Sequence, residues 1–226
     1  SELAALDLRR QILRLANAEA NAAIVLADGV LQVGETQIAL SRLEVNENGM
    51  VLEAEATFDP PATALDAHGQ GEPYGTYAFA AQMAMVEVDT ELGTTRVKRI
   101  VAAHDVGKAI NPALVEGQIQ GGIAQGLGLA LMEEYLPGRT ENLHDYLIPT
   151  VGDMPEIEVI LIEDPDPNGP QGAKGVGEPG LIPTAPAILA AIKSATGVGM
   201  HQVPATPDRV RAALLAHGTV YGGAEK

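Results

Sequence analysis

The sequence has no cysteine and no tryptophan, and Phe, Trp and Tyr together make up 3% of its 226 residues. Without thiolates it lacks disulfide staples, zinc ribbons, cysteine nucleophiles and iron–sulfur ligands, so any redox group it carries is held without cysteine sulfur. Few aromatics mean an interior packed with Ala, Val, Leu, Ile and Gly. Basic residues are also scarce, with 14 Lys and Arg against 30 Asp and Glu and a net charge of −16. Such a field repels phosphate backbones and anionic membrane surfaces, which argues against nucleic acid as a partner. No stretch reaches the roughly 20 apolar residues of a membrane helix, because Pro183, Pro186 and Lys193 interrupt the best candidate. The opening Ser1 to Arg10 carries acids and a helical period in place of a basic segment followed by an apolar one. A soluble, cytoplasmic protein is the expectation.

Leu3, Leu6, Ile12, Leu13 and Ala16 recur near the helical period, with Arg9, Arg10 and Arg14 on the other side, so an amphipathic helix opens the chain. Between Ala22 and Phe58 the runs 23–26, 37–40 and 50–58 read as short strands of a meander, divided by Asp28-Gly29 and Asn48-Gly49. Asp59 to Tyr77 reads as irregular. Ala78 to Asp89 and Thr94 to Val106 form a hairpin around a Gly-containing loop. Asn111-Pro112 starts a helix expected to run to Tyr135, although Gly117, Gly121, Gly122, Gly126 and Gly128 fall inside it. Each interior glycine costs about 1 kcal/mol relative to Ala, so something must approach that backbone closely, a neighbouring helix or a ligand. Glu156 to Ile162 is a strand, Pro186 to Ala195 a helix, and Thr206-Pro207-Asp208 begins a last helix through His217.

Chemistry-bearing residues concentrate in two places. Glu178 stands between Gly177 and Pro179 at the end of a glycine-rich loop, a setting that suits a carboxylate held as a general base, although most surface glutamates in such a turn are inert. The same loop offers Lys174 and the N–H groups of Gly172, Gly175 and Gly177, which together could hold an anion, but it lacks the Gly-Lys-Ser/Thr ending of a phosphate loop. On the glycine-rich helix, Gln118, Gly122 and Gln125 share one face and Ile119, Ile123 and Leu127 another. Two amides among small residues suit a flat polar ligand, or are two ordinary surface glutamines. His104-Asp105 and His144-Asp145 do not form chelates by spacing, since neighbours on a strand point to opposite faces.

Five stretches taken together resemble the C-terminal part of the molybdenum-binding subunit of the xanthine dehydrogenase and aldehyde oxidase family, the molybdenum hydroxylases. They are Val86-Glu87-Val88-Asp89 with its hairpin, Asp105 to Pro112, Glu116 to Gly122 with Gln125 to Gly128, Asp145 to Pro149, and Lys174 to Pro179. The resemblance implies an α+β fold of mixed sheets with packed helices, the second half of a molybdenum-cofactor-binding domain spanning residues 1–226. It makes Glu178 the active-site base. It makes Gln118 a hydrogen-bonding partner of the pterin, with Gln125 beside it, and Lys174, Gly175, Val176 and Gly177 the lining of the metal site. It implies a molybdenum-molybdopterin cofactor shared with an upstream half or partner chain, and places 2Fe-2S and FAD on other subunits or domains. The reaction it implies is hydroxylation of an aldehyde or N-heteroaromatic carbon with water as oxygen source. The family's first cofactor-binding half has no counterpart in this sequence, so a split subunit or a piece of a longer chain is expected. A rival is an assembly module that keeps the fold without cofactor; a third reading is an anion-binding domain built on Gly172 to Gly177.

Overall fold

The computed structural model describes residues 2–59 and 61–218. They divide into two compact units, one ending at Gly75 and the other beginning at Thr76.

In the first unit, helix α1 (Glu2–Leu15) buries Ile12 and Leu13 against Leu31 and Val33 of a small antiparallel sheet. Its strands are β1 (Ile24–Ala27), β2 (Val30–Val33) and β3 (Thr36–Ala39) in sequential order. Leu3 and Leu6, expected on the buried stripe, are about half exposed. Two expectations need correction. Val30 to Val33 is the central strand of the meander, whereas Met50 to Phe58 forms no strand. The Asn46 side chain accepts from the backbone N–H groups of Asn48 and Met50, and Glu53 accepts from the amides of Asn46 and Asn48. These local bonds take up backbone groups that a strand would need.

The second unit has two layers, a sheet with helices on one face. Strands β4 (Ala80–Val88) and β5 (Thr95–Asp105) are antiparallel, with a bulge between Met85 and Val86. Strand β6 (Glu156–Ile162) lies parallel to β5, pairing Arg99 with Glu156 through Asp105 with Ile162. Helix α2 (Pro112–Leu131) is part of the crossover that this parallel pairing requires. Ile100 and Ala102 from β5, Ile119, Ile123 and Leu127 from α2, Ile188 and Ile192 from α3 (Thr184–Thr196), and Val210 and Leu214 from α4 (Pro207–His217) form one core. The fold is α+β, with mixed strand directions in this sheet, as expected.

Helix α2 begins where Asn111 accepts from the Leu114 N–H at 3.2 Å and Pro112 takes the first turn. It ends four residues before Tyr135, because the N–H groups of both Met132 and Glu133 converge on the Gly128 carbonyl. The Glu133 side chain folds over Gly128, where it accepts from the Tyr146 hydroxyl at 2.7 Å.

Candidate functional site

The glycines of α2 fall into two groups. A Cβ on Gly122 would lie 2.8 Å from the Gly180 carbonyl carbon and 2.8 Å from the Leu181 nitrogen, and one on Gly126 would collide with the Thr184 side chain. These two let the chain entering α3 lie directly on the helix. Gly117 and Gly121 have nothing within 4 Å of a Cβ position and are exposed. Gly122 therefore leaves the amide face proposed from spacing, and the open stripe of α2 consists of Gly117, Gln118, Gly121 and Gln125.

Gly180 completes the contact from the other side. A Cβ there would be 3.1 Å from Ile119 Cα and 3.5 Å from the Gln118 carbonyl oxygen. The turn that begins at Glu178, whose carbonyl accepts from the Leu181 N–H at 2.9 Å, thus rests on the helical turn that carries Gln118. The side chains of Glu178, Gln118 and Gln125 are all exposed.

Gln118, Lys174 and Val176 line one surface cavity of about 180 Å³, together with Val106, Ile110, Leu114 and Val115. Glu178, Gln125, Gly175 and Gly177 are not among its lining residues. Gly175 and Gly177 nevertheless present open backbone, with nothing within 4 Å of a Cβ position.

Lys174 is used differently from a free anion ligand. Its ammonium lies 2.6 Å from Asp105 and 3.6 Å from Asp164, and the side chains of Lys174 and Asp105 are each 8% exposed. The Gly172 N–H donates to the Gly169 carbonyl. Two groups needed by the anion-binding reading are thus engaged inside the fold. The pairing staples the loop to the end of β5: Lys174 N–H donates to the Val106 carbonyl, Lys108 N–H to the Gly172 carbonyl, and Gly107 N–H to Asp105. Gly107 has φ +62°, and a side chain there would run into the Gly172 carbonyl, so glycine is required by both conformation and space. Sequence reasoning missed Asp105 in this role; the acid at a strand end, two residues before a glycine, was the available signal.

The ion pair sets the titration of both partners. Burial pushes the Asp105 carboxyl up, but the Lys174 hydrogen bond and charge and the Gly107 N–H outweigh it and hold the group below the ordinary carboxylate range. The hydrogen bond to Asp105 raises Lys174. A depressed carboxylate contributes stability that is present above its unfolded pKa of about 3.9 and is lost as pH falls through its folded value. A raised lysine contributes stability that is present below its unfolded pKa of about 10.4 and is lost as pH rises through its folded value. Lys174→Met is therefore expected to destabilise the chain near neutrality. It also flattens both the acid and the alkaline limbs of the stability curve, which urea midpoints measured from pH 3 to pH 11 will show.

His104 and Asp105 serve separate partners: His104 approaches Gln82 at 3.1 Å while Asp105 holds Lys174. Among the described residues no cluster of His, Cys, Asp or Glu could hold a metal ion directly, and no helix is long and apolar enough to cross a membrane. The open groups of this region are the Gln118 and Gln125 amides on the exposed stripe of α2 and the bare backbone of Gly175 and Gly177. That set fits a large organic group with a hydrogen-bonding edge, by which a metal would be carried, better than a naked ion.

Residues 2–155 match the model of the molybdopterin cofactor-binding domain. An aldehyde oxidoreductase of Megalodesulfovibrio gigas is 40% identical over 161 residues, covering 69% of this chain and 17% of that protein. A putative xanthine dehydrogenase molybdenum-binding subunit of Escherichia coli is 40% identical over 139 residues, covering 59% of this chain and 18% of that one. The crystal structure of quinoline 2-oxidoreductase from Pseudomonas putida superposes with a TM-score of 0.66 at 31% identity, over 94% of this chain and 28% of that chain. The chain thus spans less than a third of the length of each. The family match contains Gln118 and Gln125 and stops before Lys174 to Glu178. On these grounds the chain belongs to the molybdopterin cofactor-binding domains of the xanthine dehydrogenase and aldehyde oxidoreductase family.

Proposed function

We propose that residues 1–226 are the C-terminal cofactor-binding region of a molybdenum hydroxylase, with Glu178 as its active-site base. The observation that carries this reading is the seat of the Glu178 turn on α2, with Gly180 against Gln118 and Ile119 and Gly122 against Gly180. Two segments far apart in sequence, each singled out for its own chemistry, are thereby neighbours.

Gln118 would hold the pterin by its amide, with Gln125 further along the same open stripe. Gly175, Val176 and Gly177 would line the metal side through their backbone. Lys174 contributes by fixing that loop through Asp105, since its charge is already paired. When bound, molybdenum-molybdopterin supplies the two-electron redox chemistry that hydroxylates an aldehyde or N-heteroaromatic carbon with oxygen from water. Glu178, on an exposed turn anchored at its own carbonyl, takes up the proton that this chemistry releases from the water-derived oxygen.

The enzyme so described is cytoplasmic and multisubunit. Its partners are the upstream cofactor-binding half, in the same chain or another, and subunits or domains that carry 2Fe-2S and FAD.

Gln118→Ala tests the binding half of the reading. A net hydrogen bond contributes about 0.5–1.5 kcal/mol, roughly twofold to tenfold in affinity. The variant is expected to retain correspondingly less pterin and molybdenum after dialysis, measured by metal analysis and pterin fluorescence. Retention equal to wild type would remove Gln118 from the site.

A further inference from the structure

Gln82 on β4 reaches the turn that follows Glu178. Its amide nitrogen donates to the Gly180 carbonyl at 3.0 Å and lies 3.1 Å from Nε2 of His104, while its amide oxygen accepts from the Thr184 hydroxyl at 2.7 Å. The Thr184 oxygen is itself 3.0 Å from the Gly180 carbonyl. A glutamine amide has two N–H donors and one oxygen, and here it meets two acceptors and one donor, so a single orientation satisfies all three contacts. That orientation requires His104 Nε2 to accept, which leaves the imidazole neutral with its proton on Nδ1.

Burial agrees with a neutral ring: His104 is 1% exposed and burial lowers its pKa. The Nδ1 proton finds no acceptor, a cost that this tautomer carries, and Nε2 is the atom left to accept from Gln82. Thr184 is fully buried at the start of α3, under Gly126. The Gly180 carbonyl is therefore held from below by strand and helix together, while Gly180 Cα is held against Ile119. Only Pro179 separates this anchored residue from Glu178.

We propose that Gln82, oriented by His104 and Thr184, is a positioning residue that fixes the turn presenting Glu178. This inference rests on the reading of Glu178 as the base. Gln82 does not touch substrate or cofactor; it sets where the carboxylate stands by clamping the carbonyl two residues beyond it.

The test uses the molybdenum-loaded enzyme that contains this chain. Thr184→Val removes the hydroxyl at nearly constant volume, Thr184→Ser keeps it, and Gln82→Met removes the amide. Thr184→Val and Gln82→Met are expected to lower kcat roughly tenfold to a hundredfold, the scale on which supporting partners of a site act. KM stays within about twofold, because binding is not what the clamp serves, and molybdenum content is unchanged. Amide hydrogen exchange of residues 178–182, read by mass spectrometry, speeds up by about tenfold or more. Thr184→Ser restores both readouts. Wild-type kcat and exchange in Thr184→Val, or a Thr184→Ser enzyme as impaired as Thr184→Val, overturns the proposal; the Thr184 pair decides if Gln82→Met does not assemble. An inactive Glu178→Gln enzyme beside a normal Thr184→Val enzyme overturns the clamp and leaves the base intact. An active Glu178→Gln enzyme overturns both.

Discussion

Replacing Glu178 with Gln is expected to lower kcat of the molybdenum-loaded enzyme by roughly a hundredfold to ten-thousandfold, the range contributed by a positioned general base. The amide keeps the shape of the carboxylate and removes its capacity to accept a proton. Glu178 is exposed, and the bonds that shape its turn run from its backbone carbonyl to the Leu181 and Ile182 N–H groups. The substitution therefore leaves the turn in place, and stability stays within about 0.5 kcal/mol of wild type. Molybdenum and pterin content should likewise match wild type, since the residues assigned to hold the cofactor are untouched. Steady-state turnover and metal analysis on the same preparation check both halves of the expectation. Turnover within about threefold of wild type, at full molybdenum content, is incompatible with a base that supplies a factor of this size. A wild-type complex assembled in full stoichiometry without molybdenum would instead favour the assembly module.

Local signals carried the second unit well and the first unit poorly. The hairpin of β4 and β5, the strand β6 and the start of α2 follow from alternation, a Gly-containing loop and an Asn-Pro cap, each of which acts within a few residues. The 3-10 turn at Leu40–Arg42 and the side-chain bonds of Asn46 and Glu53 overrode the β character of Met50 to Phe58. Competition of that kind depends on partners several residues away and leaves no period to read. The excess of glycine in α2 was legible as a demand for close approach, but not which glycine met which neighbour. Gly122 and Gly126 face protein, and only Gly117 and Gly121 remain open. At the site, the residues named from sequence include the exposed Gln118, Gln125 and Glu178 and the loop Lys174 to Gly177, of which Lys174 turns out to be paired inside the fold. The supporting residues Asp105, Gln82, His104 and Thr184 are buried or half-buried: Asp105 lies 69 positions from Lys174, Gln82 lies 98 from Gly180 and 102 from Thr184, and His104 lies 22 from Gln82. Spacing along a chain cannot show such pairs; they appear only when β5, β4 and α3 are packed together.

The two groups of glycines make opposite predictions for the same change. Gly122→Ala gains about 1 kcal/mol of helix propensity but places a methyl 2.8 Å from the backbone at Gly180 and Leu181, where neither side is a flexible side chain. Relief requires α3 and the Glu178 turn to move off the helix, and overpacking of this kind costs typically 1–3 kcal/mol. The net expectation is destabilisation of up to about 2 kcal/mol in urea unfolding, together with loss of turnover, because the displaced segment carries the base. Gly121→Ala adds its methyl to open space one residue away. It should stabilise the cofactor-free chain by about 0.5–1 kcal/mol. If the stripe of Gln118, Gly121 and Gln125 lies against the pterin, that same methyl stands between helix and cofactor, and retained pterin and molybdenum fall while the protein itself becomes harder to unfold. A stability gain without loss of cofactor would show that the open face of α2 is bare surface, and would move the cofactor to the loop from Lys174 to Glu178 alone.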